Sequence, residues 1–523
     1  MGEKFFAQNF EEFKRKGDLE EHLLHYRQEP ALEVNEITLL LEENREKKDV
    51  SDGSRNNISL FILELERFGH IAGPLVAVNL SLYFLQTISV MMVGHLGELY
   101  LSSTAIAISF CGVTGFSVIY GMSTALETLN GQAYGAQEYQ KLGTQTYTAL
   151  FCLILACLPL SLMWVYMGKI LTFLGQDPLI SQEAARFTIW LVPALFGYTA
   201  LQVIVRFFQA QSLIIPLLIS SCITFLSHTI LCWVLVFKSG LANLGAALSI
   251  GLSYWLNVFL LGLYMKYSPT CVNSISPISM EIFRGIGQFF RLAIPSACMT
   301  CLEWWAFEFI IILSGLLPNP KLETSVLSVC LATVYTLNTI PDGLSAAAST
   351  RVSNEIGAGN PKAAALAVKA VMFLAVSESI IVIATLFASR HIFGYAFSNT
   401  KEVVDYVTTM APLICLSIIL DSLKCVLSGV ARGCGWQDLG AYVNLATYYL
   451  CGIPFAAALG FCLHLKGPGL WIGIQAGALL QTVLLLIITK RTDWEKQVSK
   501  AKERIFEGRS SPEDSLLKAT EEI

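Results

Sequence analysis

Between about residues 58 and 489 the chain runs as long apolar stretches separated by short polar breaks. Twelve stretches reach the ~20 residues a helix needs to cross the hydrocarbon core of a bilayer. They cover roughly 68–93, 101–125, 144–167, 183–205, 212–236, 242–266, 287–315, 323–349, 363–388, 402–427, 438–462 and 468–490. Backbone in lipid must satisfy its own hydrogen bonds, so the expected class is an all-α polytopic membrane protein. Ten or eleven helices is the alternative count, because breaks such as 206–212 leave some boundaries soft.

The pattern repeats. Pro74 through Gly94 lies over Pro295 through Gly315 at a shift of 221 residues. Gly135-Ala136 lies over Gly357-Ala358, and Gln209-Ala210 over Ala431-Arg432, at 222. Gly245 through Gly251 lies over Gly467 through Gly473. A repeat demands equal halves, which favours twelve spans in two pseudo-symmetric six-helix lobes. Duplicated bundles are the mark of a transporter that rocks one half against the other about a central site. A receptor or a membrane enzyme has no need of that symmetry.

The predicted organisation is a polar N-terminal tail at 1–57, an N-lobe at 58–266, a linker at 267–286, a C-lobe at 287–490 and a C-terminal tail at 491–523. The N-terminal tail reads as cytosolic and disordered, with a helical turn or two near Leu39–Glu46. It has no apolar segment of the signal-peptide kind, and Phe6 stands where a myristoylation motif needs Ser or Thr. Twelve spans put both ends on one side. Lys141, Arg206, Lys266, Arg284, Arg291, Arg351, Lys362, Lys369, Arg432, Lys490 and Arg491 fall there, against Lys169, Lys238, Lys321, Arg390, Lys401 and Lys466 opposite. That bias predicts cytosolic termini.

Composition agrees: 54% hydrophobic and only 14% charged residues, where soluble domains carry about 25% charged. The net charge of −5 gives no reason to expect nucleic acid as a partner. Most of the fourteen cysteines, Cys111, Cys152, Cys157, Cys222, Cys232 and Cys330 among them, sit in apolar runs and read as small hydrophobes. Cys298 and Cys301 have the spacing of a metal or redox pair but lie in a predicted span. The seven histidines are scattered and suggest no metal site, and no cofactor is expected.

A carboxylate at bilayer depth is expensive, so each is a functional candidate. In the first half the helix centres are nearly free of them; Glu127 lies near the end of the second span. The second half holds Glu303 and Glu308 in the seventh span, Glu378 in the ninth and Asp421 in the tenth, with Asn338 and Asp342 in the eighth. Glu303 and Glu308 lie about 140° apart around a helix, so they do not share a face. Glu303 and Asp421 are the expected coupling acids: two such groups close together would hold one proton between them. Glu308 is an additional candidate. Glu378, without polar context, and Asp342, beside an expected Pro-Gly helix break, read as packing residues. Pro74 and Pro295, at matched repeat positions, are hinge candidates. Trp304, Gln86 and Asn79 are candidates to line a substrate cavity. The cluster of Trp304, Trp305, Phe307 and Phe309 suits planar or cationic compounds, or simply faces lipid.

Five segments carry a resemblance: SVMMVGHLGELYLSSTAIAISF (89–110), ALETLNGQAYGAQ (125–137), CLEWWAFEFIIILSG (301–315), AAASTRVSNEIGAGNP (346–361) and VLSGVARGCGWQDLGAYVNLATYYLCGIP (426–454). Through them the chain resembles the plant branch of the multidrug and toxic compound extrusion family. The resemblance implies two six-helix lobes around a V-shaped central cavity and cation-coupled export of organic compounds. It also implies a proton-binding role for Glu303 and Asp421, with Asn338 as their neighbour. Many bacterial members carry an aspartate on the first helix. Here Ser89 stands in the corresponding stretch, so their N-lobe cation site is not expected.

The expected function is proton-coupled efflux of an amphipathic organic solute, such as an alkaloid, a flavonoid conjugate or a xenobiotic. The expected setting is the vacuolar or plasma membrane, and the expected state a monomer. Organic-anion export, sodium coupling and lipid or glycolipid flipping are the rival readings. A flippase would call for cationic residues mid-span, whereas Arg206 and Arg432 fall at loop edges. A membrane enzyme would need a convergent His, Cys or Ser constellation that the sequence lacks.

Overall fold

The computed structural model describes residues 53–275, 277, 279–396 and 400–506. The readings of the N-terminal tail up to residue 52 and of residues 507–523 lie outside the described residues. The described chain divides between Leu63 and Glu64, and the packing below is that of the part that begins at Glu64.

Among the described residues, twelve helices are long and apolar enough to span a membrane, and not ten or eleven. They are α1 (Ile58–Gly94), α2 (Glu98–Gly135), α3 (Tyr139–Val165), α4 (Pro178–Ala210), α5 (Ile214–Lys238) and α6 (Asn243–Tyr267), then α7 (Ile286–Ser314), α8 (Pro320–Gly357), α9 (Pro361–Phe393), α10 (Lys401–Cys434), α11 (Gln437–Cys462) and α12 (Lys466–Lys490). A thirteenth helix, α13 (Trp494–Phe506), is amphipathic and follows the last span. We call α1–α6 the N-lobe and α7–α12 the C-lobe. Leu158, Leu162, Ile230, Ile380 and Ile381 are more than half exposed, as lipid-facing side chains are.

Local chemistry sets the helix ends. Asp177 caps α4 by accepting from the Leu179 and Ile180 amides at 2.9 and 3.1 Å, and Pro178 follows at the first helical position. Pro320 and Pro361 likewise stand at the start of α8 and α9, there without a side-chain cap. Gly435, in left-handed conformation (φ 79°), ends α10. The repeat is visible in the backbone. Left-handed residues recur as Gln137 and Gly359, Ser212 and Gly435, Ala242 and Lys466, at separations of 222, 223 and 224 residues.

Several spans run well beyond their apolar stretches. α8 continues to Gly357, and its polar end (Ser349, Thr350, Ser353, Asn354) is buried. Those residues pack on the other lobe instead of meeting water. The repeat-related Gly135 and Gly357 lie back to back there: a Cβ on either would strike backbone of the opposite helix, the Asn354 carbonyl or the Gln132 carbonyl. Pro341 and Gly343 do not break α8, contrary to expectation. Both are enclosed, and Gly343 leaves room for Val76 of α1, so neighbouring helices hold the turn that the missing N–H would loosen. Pro74 and Pro295 likewise sit inside continuous helices.

The lobes meet on the face where α13 lies. Glu64, at the start of α1, pairs with Arg351 near the end of α8. Gln132 Nε2 donates to the Gly433 carbonyl, Gln209 Nε2 to that of Ala346, and Asn354 Nδ2 to that of Ala210, at 3.0–3.1 Å. We call this the terminal face.

Candidate functional site

α7 and α10 bring the predicted acids together. Glu303 lies eight residues after Pro295 on α7, and Asp421 sits inside α10 with an exposure of 1%. A lysine that the sequence reading missed joins them. Lys424 Nζ is 2.9 Å from Glu303 Oε1, 2.9 Å from Asp421 Oδ1, and donates at 2.9 Å to the Tyr448 hydroxyl of α11. The ammonium also faces the Phe307 ring, 4.8 Å from its centroid, and the Tyr448 ring. Tyr448 in turn donates to Gln481 Oε1 of α12 at 2.7 Å, and Gln481 Nε2 reaches Glu303 Oε2 at 3.4 Å and Asn444 Oδ1 at 2.7 Å. Asn338 of α8 lies beside the Asp421 carboxylate. Five helices thus converge on one buried ion cluster. Glu303 keeps 21% of its side chain exposed, whereas Asp421 and Lys424 are sealed at 1% and 3%.

The signal for Lys424 was in the sequence: a cation three residues after an acid, inside an apolar span, stands on the same helix face. Tyr448, Gln481 and Asn444 carried no such signal, because only packing aims their polar ends inward.

The other predicted residues fall elsewhere. Glu308 makes no hydrogen bond or ion pair among the described residues. Asp342 accepts from Cys425 Sγ at 3.1 Å. Glu378 is not without polar context, since its carboxylate accepts from the Ser422 hydroxyl at 2.8 Å. Gln86 donates to the Tyr254 hydroxyl at 3.2 Å within the N-lobe, and Asn79 is partly buried. Trp304 stacks on Tyr120 of α2, with centroids 5.6 Å apart, and so lies at the junction of the lobes. The aromatic cluster does not act as a unit: Phe307 faces Lys424, Trp305 donates to the Val113 carbonyl at 3.0 Å, and Phe309 is exposed.

Arg206 and Arg432 are near helix ends, as expected, but Arg206 is buried and Arg432 keeps only 11% of its side chain exposed. Both bind Glu127, at 2.9 and 2.8 Å, and Arg432 Nη2 donates to Ser345 Oγ at 2.9 Å. Glu127 and Arg206 belong to the N-lobe and Arg432 to the C-lobe, so this second cluster ties the seam. In the core of the N-lobe, Ser89 meets His228 at 3.1 Å, and the other imidazole nitrogen meets Ser253 at 2.8 Å. No group of three or more His, Cys, Asp or Glu suited to a metal occurs among the described residues.

The MatE family model matches residues 74–234 and 295–458, one match in each lobe. The chain belongs to the multidrug and toxic compound extrusion (MATE) family. It is 58% identical over 468 residues to Protein DETOXIFICATION 14 of Arabidopsis thaliana, covering 90% of this chain and 95% of that protein. It is 58% identical over 463 residues to Protein DETOXIFICATION 12 of the same plant, covering 88% and 95%. The crystal structure of the eukaryotic MATE transporter AtDTX14 superposes with a TM-score of 0.83 at 60% identity, over 85% of this chain and all of that one. A multidrug resistance MATE family transporter of the MOP superfamily, in a structure described as outward-facing, shares the fold at a TM-score of 0.74 and 14% identity, over 84% and 97%. As a MATE protein the chain is a multi-pass membrane transporter of the efflux type and not an enzyme.

Proposed function

We propose that this MATE protein exports organic compounds in exchange for protons, with Glu303 and Asp421 as the coupling acids and Asn338 as their neighbour. The observation that carries the reading is the Glu303–Lys424–Asp421 cluster, in which one acid is partly exposed and the other sealed behind an ammonium. Protons support this better than sodium. A sodium ion would have to displace the Lys424 ammonium from both carboxylates, whereas a proton adds to a carboxylate oxygen in place. The fitting cargo is an organic cation, because the cluster carries more acid than base. An organic-anion reading would lean on Arg206 and Arg432, but Glu127 already engages both.

With the termini in the cytosol, as the basic-residue bias indicates, the seam on the terminal face closes the cytosolic side. Protonation of Glu303 would weaken its hold on Lys424 and free α7 to bend at Pro295. One pH unit supplies about 1.4 kcal/mol per proton, enough for about a tenfold solute gradient. Plant alkaloids, flavonoids and xenobiotics are the proposed substrate classes, with the vacuolar or plasma membrane as the site of action.

The test is uptake of a fluorescent organic cation into proteoliposomes under an imposed pH gradient, wild type against Asp421→Asn. Loss of gradient-driven uptake with binding retained is expected. Wild-type uptake by a Glu303→Gln, Asp421→Asn double variant would sink the reading.

A further inference from the structure

Lys424 is more than a neighbour of the coupling acids. An ammonium has three N–H donors, and three oxygens meet it here: Glu303 Oε1, Asp421 Oδ1 and the Tyr448 hydroxyl, each at 2.9 Å. Phe307 and Tyr448 present ring faces to it. The ammonium donates to the Tyr448 hydroxyl and pairs with both carboxylates at contact distance, and the side chain is 3% exposed. The charge is held in place.

The charges around it can be counted. Glu303 and Asp421 face Lys424 directly. Asp342 of α8 lies within electrostatic reach of Lys424 and of Arg432, and Arg432 shares Glu127 with Arg206. Glu303, Asp421 and Lys424, the groups in direct contact, leave a net charge of −1. The remaining groups facing the cluster are Tyr335 of α8, Tyr448 of α11, Cys425 of α10 and the amides of Asn338, Asn444 and Gln481. Glu308 also reaches Tyr335 electrostatically but makes no bond to the cluster. Glu378 is engaged with Ser422.

We propose that Lys424 is the fixed counter-ion of the coupling site and sets the exchange at one proton per monovalent organic cation. The inference rests on the proton-coupled reading above. A buried site at −1 is neutralised by one proton or by one monovalent cation. Holding both would strand a positive charge in low dielectric, which is costly. That exclusion is antiport. The proton adds to Glu303, the one acid of the pair with appreciable exposure, while Lys424 stays on Asp421. Removing the ammonium would leave two uncompensated carboxylates and call for a second proton.

The experiment measures the equilibrium ratio of radiolabelled tetraethylammonium across proteoliposomes against the imposed pH difference, with the membrane potential clamped at zero by potassium and valinomycin. Ethidium replaces tetraethylammonium if the wild type does not carry it. The wild type should give about tenfold per pH unit, and Lys424→Met about a hundredfold. Asp421→Asn, with the pair neutral, should give a ratio independent of pH. The double variant Asp421→Asn, Lys424→Met restores −1 and should return to about tenfold. A hundredfold wild-type slope overturns the proposal, whether or not any variant folds. So does a wild-type slope in Lys424→Met, or a double variant that folds and binds the cation yet stays uncoupled. Carriage of the cation by the wild type with no response to pH overturns the proton-coupled reading itself.

Discussion

The two lobes share one architecture and place their buried acids in opposite ways. In the N-lobe, Glu64 and Glu127 lie towards the terminal face and bind arginines of the other lobe, Arg351 and Arg432. In the C-lobe, Glu303 and Asp421 bind Lys424 within the lobe. At the repeat-related positions 82, 199 and 202 the N-lobe has Leu82, Thr199 and Gln202, and its core is knit by Ser89, His228 and Ser253. A duplicated fold therefore does not mean duplicated chemistry. One half pairs two acids with a lysine of its own lobe, and the other half commits Glu64 and Glu127 to the seam. On the proposed function, coupling in one lobe and gating between lobes are separable physical tasks.

Glu127→Gln should break this comparison hardest. It leaves the buried Arg206 and its neighbour Arg432 without their carboxylate, which costs about 3–5 kcal/mol. The expected result is a clear fall in the melting temperature of the detergent-solubilised protein, partly recovered by adding Arg206→Met; an unchanged melting temperature would mean that the seam cluster contributes nothing.

A smaller effect tests whether α13 belongs to the seam. Arg504 donates to Gln132 Oε1 of the N-lobe and to the Cys434 carbonyl of the C-lobe, both at 2.9 Å. Gln288 Nε2 donates back to the Arg504 carbonyl at 2.8 Å, and Lys141 Nζ to that of Ile505. Gly435 leaves the space that the Arg504 guanidinium fills. Arg504→Ala should loosen α13 by about 1.5–3 kcal/mol, the range for hydrogen bonds to a charged group. Faster amide hydrogen exchange across 494–506 with little change elsewhere is the expected signature. Unaltered exchange there would make α13 independent of both lobes.

The smallest effect sharpens the contrast from the other side. His228→Asn removes a hydrogen bond worth about 1 kcal/mol and no charge on which coupling depends. The dependence of tetraethylammonium accumulation on pH should keep its wild-type slope. A changed slope would put a proton site in the N-lobe and end the comparison.

Much of this molecule was legible as sequence. Twelve spans and the two-lobe repeat follow from apolar run length and a shift of about 222 residues, because lipid forces helices on any such stretch. Glu303 and Asp421 were identifiable because carboxylates are rare at that depth. Lys424 was missed although its spacing from Asp421 pointed to it. Glu378 was misread for want of a visible partner: Ser422 lies 44 residues away and meets it only across the α9–α10 contact. The expected break at Pro341 failed for a related reason, since propensity acts locally and enclosing helices override it.

The sequence by itself determined which segments cross the bilayer, that they form two related halves, and which residues bring charge into the membrane. Burial energetics act on each segment separately and leave their mark in composition. Only the tertiary structure decided which charges meet. It joined Lys424 to two acids, Glu127 to two arginines, and α13 to both lobes. Pairing depends on distances of about 3 Å between helices far apart in the chain, and that proximity is fixed by how all the helices pack together.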